Sequence, residues 1–204
     1  LGADAAAERG KDRYHHVDRR ESLISATLAL VVSQGAENFS LADACRFAGV
    51  STAAPYKHFR DKQEILEIVC QRSFDEMQAT TMAAVERFGE GTPQAIQEMG
   101  RAYVNFARTE PNLFRLMFGQ NPALKHAQIV DLAGTDCFTY VVGQVAKFCE
   151  RESRVSDPRF MALKLWTFVH GAACLLIDED YQKIAPDLDV DALIISATPQ
   201  LLAG

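Results

Sequence analysis

Strand signals are scarce in this sequence. It has few alternating β-branched runs and no Asn-Gly or Asp-Gly pair to close a hairpin, which argues against an all-β or α/β fold. The five cysteines, at 45, 70, 137, 149 and 174, are odd in number and contain no Cys-x-x-Cys pair, so neither a disulfide framework nor a close-spaced thiolate metal site is expected. A reducing cytoplasm is the natural setting for such a set. Catalytic signatures are missing too: no Gly-x-Ser-x-Gly, no P-loop, no Gly-x-Gly-x-x-Gly, and no His and carboxylates at metal-ligand spacing. No enzyme, cofactor or metal is expected. A secretory leader is not apparent at the N-terminus.

Only one apolar run, residues 160–177, could be taken for a membrane span, and it is short for a bilayer and carries Lys164 and His170. A buried helix is the expectation, with no membrane partner. At 48% hydrophobic and 24% charged residues, the chain of 204 can build a substantial core. The net charge of -6 disfavours polyanion binding by the whole surface, so charge has to be read by segment.

Apolar residues three and four apart fill the long stretches between breakers, giving an all-α chain of about nine helices. The first is expected over 19–34, burying Ile24, Leu28 and Val31 and stopping at Gly35. Ser40 then opens a second helix with Asp43 three residues on, a capping-box spacing, and Gly49 ends it after two turns. Ser51 or Thr52 caps a third. Two short helices joined by a tight glycine-containing turn is the helix-turn-helix pattern. A fourth helix runs from Asp61 and Lys62 to about Phe88, and GEGTP, residues 89–93, reads as a linker. Further helices are expected over 93–109, 111–118, 122–152, 157–177 and 190–202, with Asp178, Glu179 and Asp180 in a solvated loop.

The stretch VSTAAPYKHF, residues 50–59, decides between a surface turn and a recognition helix. Counted from a Ser51 cap, Pro55 and Phe59 share one helical face and Ala53 and Lys57 the opposite one, with Thr52/Tyr56 and Ala54/His58 on the flanks. Small residues at the N-terminus would let the helix approach base edges in a major groove, and Thr52 could bond a base or touch a thymine methyl. Tyr56 and His58 would reach phosphates, Lys57 adds charge, and Lys62 would make a second phosphate anchor. Arg46, Lys57, Arg60 and Lys62 against Asp61 give 4 − 1 = +3 over 46–62. Arg9, Lys11, Arg13, Arg19 and Arg20 against Asp12 and Asp18 give 5 − 2 = +3 over 9–20, a basic arm beside the head. A solvated surface helix would have the same spacing.

The run from Glu21 to Leu66 resembles the DNA-binding domain of TetR-type transcriptional regulators: Gly35, Ser40, the string Ala48, Gly49, Val50, Ser51, then Tyr56, His58, Phe59 and Lys62. It departs from that pattern with Ala53 and Ala54 where many members have glycine nearby, and with Ala44 and Cys45 for the usual Ile-Ala. NLFRLMFG, residues 112–119, and Trp166, His170 and Gly171 resemble the subgroup named for its Trp-His-Gly motif. The N-terminal stretch reads as a flexible arm over 1–18. The resemblance implies a DNA-binding domain over 19–64 with Ser40, Ser51, Thr52, Ala53, Ala54, Tyr56, Lys57, His58 and Lys62 at the DNA, and a ligand-binding and dimerisation domain over 65–204. It implies a homodimer on a near-palindromic double-stranded operator, most simply a repressor released by a small molecule.

In the C-terminal half, Trp166 and His170 are one helical turn apart. Any ligand cavity there should be walled by Tyr103, Phe106, Phe114, Met117, Phe118, Phe138 and Trp166, with His170 or Tyr103 orienting an apolar or aromatic effector. His170 could equally be a hydrogen-bonded core residue. An all-α carrier protein without a DNA role is the alternative from another functional class.

Overall fold

The computed structural model describes residues 3–119, 121, 124 and 127–203, with side chains from residue 19 onward. Nine α-helices and one 3₁₀ turn make up the described chain. They are α1 (Ala3–Gln34), α2 (Leu41–Ala48), α3 (Lys62–Phe88), α4 (Pro93–Thr109), α5 (Pro111–Phe118), α6 (Gln128–Arg151), α7 (Pro158–Ile177), α8 (Asp180–Ile184) and α9 (Val190–Ala203), with the 3₁₀ turn at Pro55–Lys57.

Helix ends follow the local chemistry. Ser40 caps α2 in a closed capping box: its hydroxyl accepts from the Asp43 amide at 3.3 Å and the Asp43 carboxylate accepts from the Ser40 amide at 2.7 Å. Gly49, at φ +67°, adopts the left-handed conformation that ends α2, and its amide bonds back to the helix. Asp61 caps α3, Thr92 caps α4 and Asp157 caps α7, each through its side-chain oxygen.

Five features differ from the expected layout. The helix expected over 122–152 begins at Gln128, with residue 124 in a turn and 122, 123, 125 and 126 outside the described residues. The helical backbone of α1 continues to Ala3, through the segment expected as a flexible arm, where Ala, Glu, Arg and Lys are good helix formers. The third helix is a turn over 52–54 followed by the 3₁₀ turn, because Pro55 has no N–H for the Ser51 carbonyl and its ring crowds that position in an α-helix. Ser51 instead accepts from Ala54 at 2.9 Å, an i+3 bond. The acidic cluster is not all loop: Glu179 turns at φ 59° and Asp180 begins α8. The GEGTP segment is seated on α6, where the Gly91 amide donates to buried Gln144 Oε1 at 3.0 Å.

The head packs α1, α2, the 3₁₀ turn and the start of α3 around Leu23, Ile24, Val31, Phe39, Ala44, Cys45, Phe59, Ile65 and Val69. The same apolar cluster continues into the body through Phe74, Tyr103, Phe114, Val169 and Ile194. In the body, α7 packs against α4, α6, α8 and α9. It is also the one described helix long and apolar enough to cross a bilayer by length and composition, with a mean hydropathy of 1.7.

Lys62 closes the head. Its ammonium donates to the Ala36 and Phe39 carbonyls, at 2.6 Å each, and lies 4.1 Å from the centre of the Phe39 ring. Desolvation lowers its pKa, against the opposing fields of Glu37 and Asp43. A Lys62→Met substitution keeps the stem and strips both carbonyls of their charged donor, so it should destabilise the protein by about 1–3 kcal/mol in urea unfolding. A lysine that only anchors phosphate would leave stability unchanged.

Candidate functional sites

Among the described residues, the outer surface of the head and a cavity inside the body are the candidates for function. On the head, Ser51, Thr52, Ala53, Tyr56 and Lys57 are all exposed, Tyr56 at 71%. They are exposed on either side of the buried Ala54 and Pro55. Ser40 is also exposed, with its hydroxyl engaged in the α2 cap and donating to Asp43 at 2.6 Å. His58 is half-buried with its ring 6.2 Å from that of Phe59.

Two of the residues expected on this surface do not lie on it as drawn from sequence. Ala54 is buried, because the tighter winding before Pro55 turns it under rather than onto a flank. Lys62 points inward to the α1–α2 loop, so the N-terminus of α3 presents Asp61 and Arg60, the latter paired with Glu64 at 3.0 Å. Arg46 pairs with Asp43 on α2. Phe47 on the same helix is 64% exposed.

In the body, a cavity of about 480 Å³ lies among α3, α4, α6 and α7, within the range of small-molecule sites. Of the eight expected lining residues, Tyr103, Phe118, Phe138 and Trp166 are on its wall. Phe106, Phe114 and Met117 are buried core beside it, and His170 stands behind Tyr103 rather than in the wall. The wall also includes Phe74, Met77, Gln78 and Thr81 of α3. Their i, i+3, i+4, i+7 spacing was readable as a helical stripe, but nothing in it distinguished a cavity wall from ordinary core.

A polar chain runs through this aromatic cluster. Trp166 Nε1 donates to the Tyr103 hydroxyl at 3.4 Å, that hydroxyl lies 2.7 Å from His170 Nδ1, and His170 Nε2 lies 3.7 Å from Cys174 Sγ. Phe114 packs edge-on against Tyr103 at 5.6 Å and Phe118 against His170 at 5.1 Å. Burial raises the Tyr103 phenol and lowers the His170 imidazole, leaving both neutral. Cys137, also on the wall, is pushed up to about 11 by burial and stays a thiol at neutral pH. Among the described residues no three His, Cys, Asp or Glu side chains gather as a metal site.

A helix-turn-helix head sharing one helix with a hollow helical body defines a class: DNA-binding regulators that respond to small molecules. Residues 23–69 match the family model for bacterial regulatory proteins of the tetR family, and residues 96–197 match the tetracyclin repressor-like C-terminal domain. The chain belongs to the TetR family of bacterial transcriptional regulators. A protein of unknown function from Rhodococcus sp. RHA1 is similar over 91% of this chain and 94% of its own, at 28% identity and a TM-score of 0.78. The transcriptional regulator FadR from Bacillus subtilis, solved with stearoyl-CoA, shares the fold at 14% identity and TM-score 0.71, over 90% and 98% of the two chains. The fatty acid degradation regulator FadR from Bacillus halodurans does so at 11% and 0.70, over 90% and 94%.

The His170 shift has a consequence for stability. Its pKa lies below the ordinary 6.5 when folded, so as pH falls past 6.5 the unfolded chain takes up the proton first and stability is lost until the folded value is passed. Thermal melts at about pH 7.5 and 5.5 should show a larger drop for the wild type than for His170→Asn, which cannot titrate. Equal drops would remove His170 from the account.

Proposed function

We propose that the protein is a homodimeric repressor whose hold on a near-palindromic operator is relaxed when an apolar or aromatic small molecule enters the body cavity. The observation that carries this reading is α3. One uninterrupted helix of 27 residues begins in the head at Lys62 and lines the cavity with Phe74, Met77, Gln78 and Thr81. A ligand that favours one position of α3 favours one position of the head.

At the DNA, Thr52 and Ala53 approach base edges, and Ser40, Ser51, Tyr56, Lys57 and His58 serve the phosphates. Ala54 and Lys62 act indirectly, by shaping the turn and holding the loop before α2. The basic segment over 9–20 lies along the DNA beside the head. Dimerisation through α7 and α9 is supported by the apolar side chains they leave exposed, Phe160 at 62%, Ile195 at 43% and Leu175 at 39%. Two-fold symmetry then places half-sites roughly 34–36 Å apart or somewhat more. The stearoyl-CoA complex of the Bacillus subtilis relative supports a ligand site within this fold. Action in the cytoplasm follows from an operator as target.

Fluorescence anisotropy against the DNA immediately upstream of the gene, with scrambled DNA as control and at two salt concentrations, tests the DNA half. Specific binding that weakens steeply with salt is expected. Lys57→Ala should weaken binding across sequences and reduce the salt slope by about one, and Tyr56→Phe should weaken it with the slope unchanged. A genome-wide selection returning no preferred fragment would favour the carrier reading instead.

A further inference from the structure

Where the cavity opens can be read from its wall. The exposed wall residues are Asp131 and Thr135 on α6 and Arg159, Leu163 and Trp166 on α7, and every other wall residue is buried or half-buried. The mouth is therefore a slit between α6 and α7. The rings of Phe138 and Trp166, 5.8 Å apart, set these two helices in register, and the short connection over 152–157 makes them antiparallel. Asp131 lies seven residues before Phe138 and Arg159 seven before Trp166. The two charges thus mark opposite ends of the slit, roughly 20 Å apart along the helices. Between them the cavity follows the helix axes, from Phe118 and Val130 near the head to Ile96 and Leu163 at the far end.

The two charges are not equivalent. Asp131 stands in the first turn of α6, where a carboxylate complements the helix dipole, so the helix itself accounts for its place. Arg159 is the second residue of α7, where the same dipole disfavours a cation, and it takes no part in the ion pairs of the described residues. Its spacing with Leu163 and Trp166, i, i+4 and i+7, puts it on the stripe of α7 that faces the cavity. An anion seated at this end of the mouth would meet both the guanidinium and the positive end of α7.

Building on the reading of this cavity as the effector site, we infer that the effector is an anionic amphiphile, an apolar chain that lies along the cavity and ends in a carboxylate held at the mouth by Arg159. The mouth suits the charge because water reaches it there, whereas the aromatic interior would strip its hydration. Asp131, at roughly 20 Å, is more than two screening lengths of about 8 Å away at physiological salt and does not repel it. A neutral ligand with the same chain gains the apolar burial alone. An ammonium ligand is repelled at Arg159, and turned the other way it finds a carboxylate already complemented by the α6 amides.

Isothermal titration calorimetry of the full chain at neutral pH with octanoate, 1-octanol, octylammonium and decanoate reads this directly. Octanoate is expected to bind about three- to tenfold more tightly than 1-octanol, with octylammonium weakest. Decanoate, longer by two CH₂ groups, should bind about tenfold more tightly than octanoate. Arg159→Gln should bring octanoate to within about twofold of 1-octanol and leave 1-octanol unchanged, and added salt should narrow the wild-type preference. Equal binding of octanol and octanoate, tighter binding of octylammonium, or an unaltered preference in Arg159→Gln would overturn the carboxylate rule while leaving the cavity as a ligand site. Decanoate binding no better than octanoate would overturn the placement of the chain along the cavity. Binding of none of the four would overturn both the rule and the cavity reading on which it rests.

Discussion

Everything in this molecule that could connect two functions depends on one constraint: head and body share a helix and a core. A rod of 27 residues with unbroken backbone bonding is stiff on the scale of the protein. Its first turns are fixed in the head by Ile65, Leu66 and Val69, and its middle is fixed in the body by Phe74 and Met77, all buried in one apolar cluster. Because head and body residues share this cluster, a rearrangement of the body around the middle of α3 loads the head. The glycine-rich segment that does look like a linker comes after this rod and is tied to α6 by Gln144.

Two further ties hold the head at its angle. Lys62 binds the loop between α1 and α2 from the α3 side, and Asn112 on α5 donates to the Val32 carbonyl at 2.9 Å near the end of α1. The same short α5 carries Phe114 and Phe118 against Tyr103 and His170, and its Arg115 donates to the Ile177 carbonyl at 2.7 Å at the end of α7. The aromatic cluster behind the cavity thus touches a second element that reaches the head. A side chain such as Phe118, at once in the cavity wall and on α5, lies where a ligand would act on both routes.

Much of this was legible in the sequence because helix boundaries are written in local chemistry. The Ser40–Asp43 pair, Gly35, Gly49, and the prolines at 93, 111 and 158 act within a turn of themselves, and the helices begin and end beside them. The shape of the recognition turn was not legible from helical spacing, since the missing N–H of Pro55 changes the winding and carries Ala54 inward. Lys62 could not be told from a phosphate anchor, because its partners are backbone carbonyls more than twenty positions away in sequence. The aromatic set in the body was recognised by composition. Its division into wall and core depends on how α3, α4, α6 and α7 lean together, which periodicity does not encode. The pairing of Tyr103 with His170, 67 positions apart, belongs to the same class.

Coupling between the head and the cavity is reciprocal, so it can be measured from the DNA side without knowing the effector. Amide hydrogen exchange on the free protein and on its complex with a selected operator fragment tests it most directly. The account predicts altered exchange in the cavity-lining stretch 74–81 of α3 as well as in the head, with a change in emission from Trp166, the single tryptophan, at the cavity wall. Exchange that changes only over residues 40–62, with Trp166 emission unmoved, would show a head that binds DNA independently of the body and would contradict it.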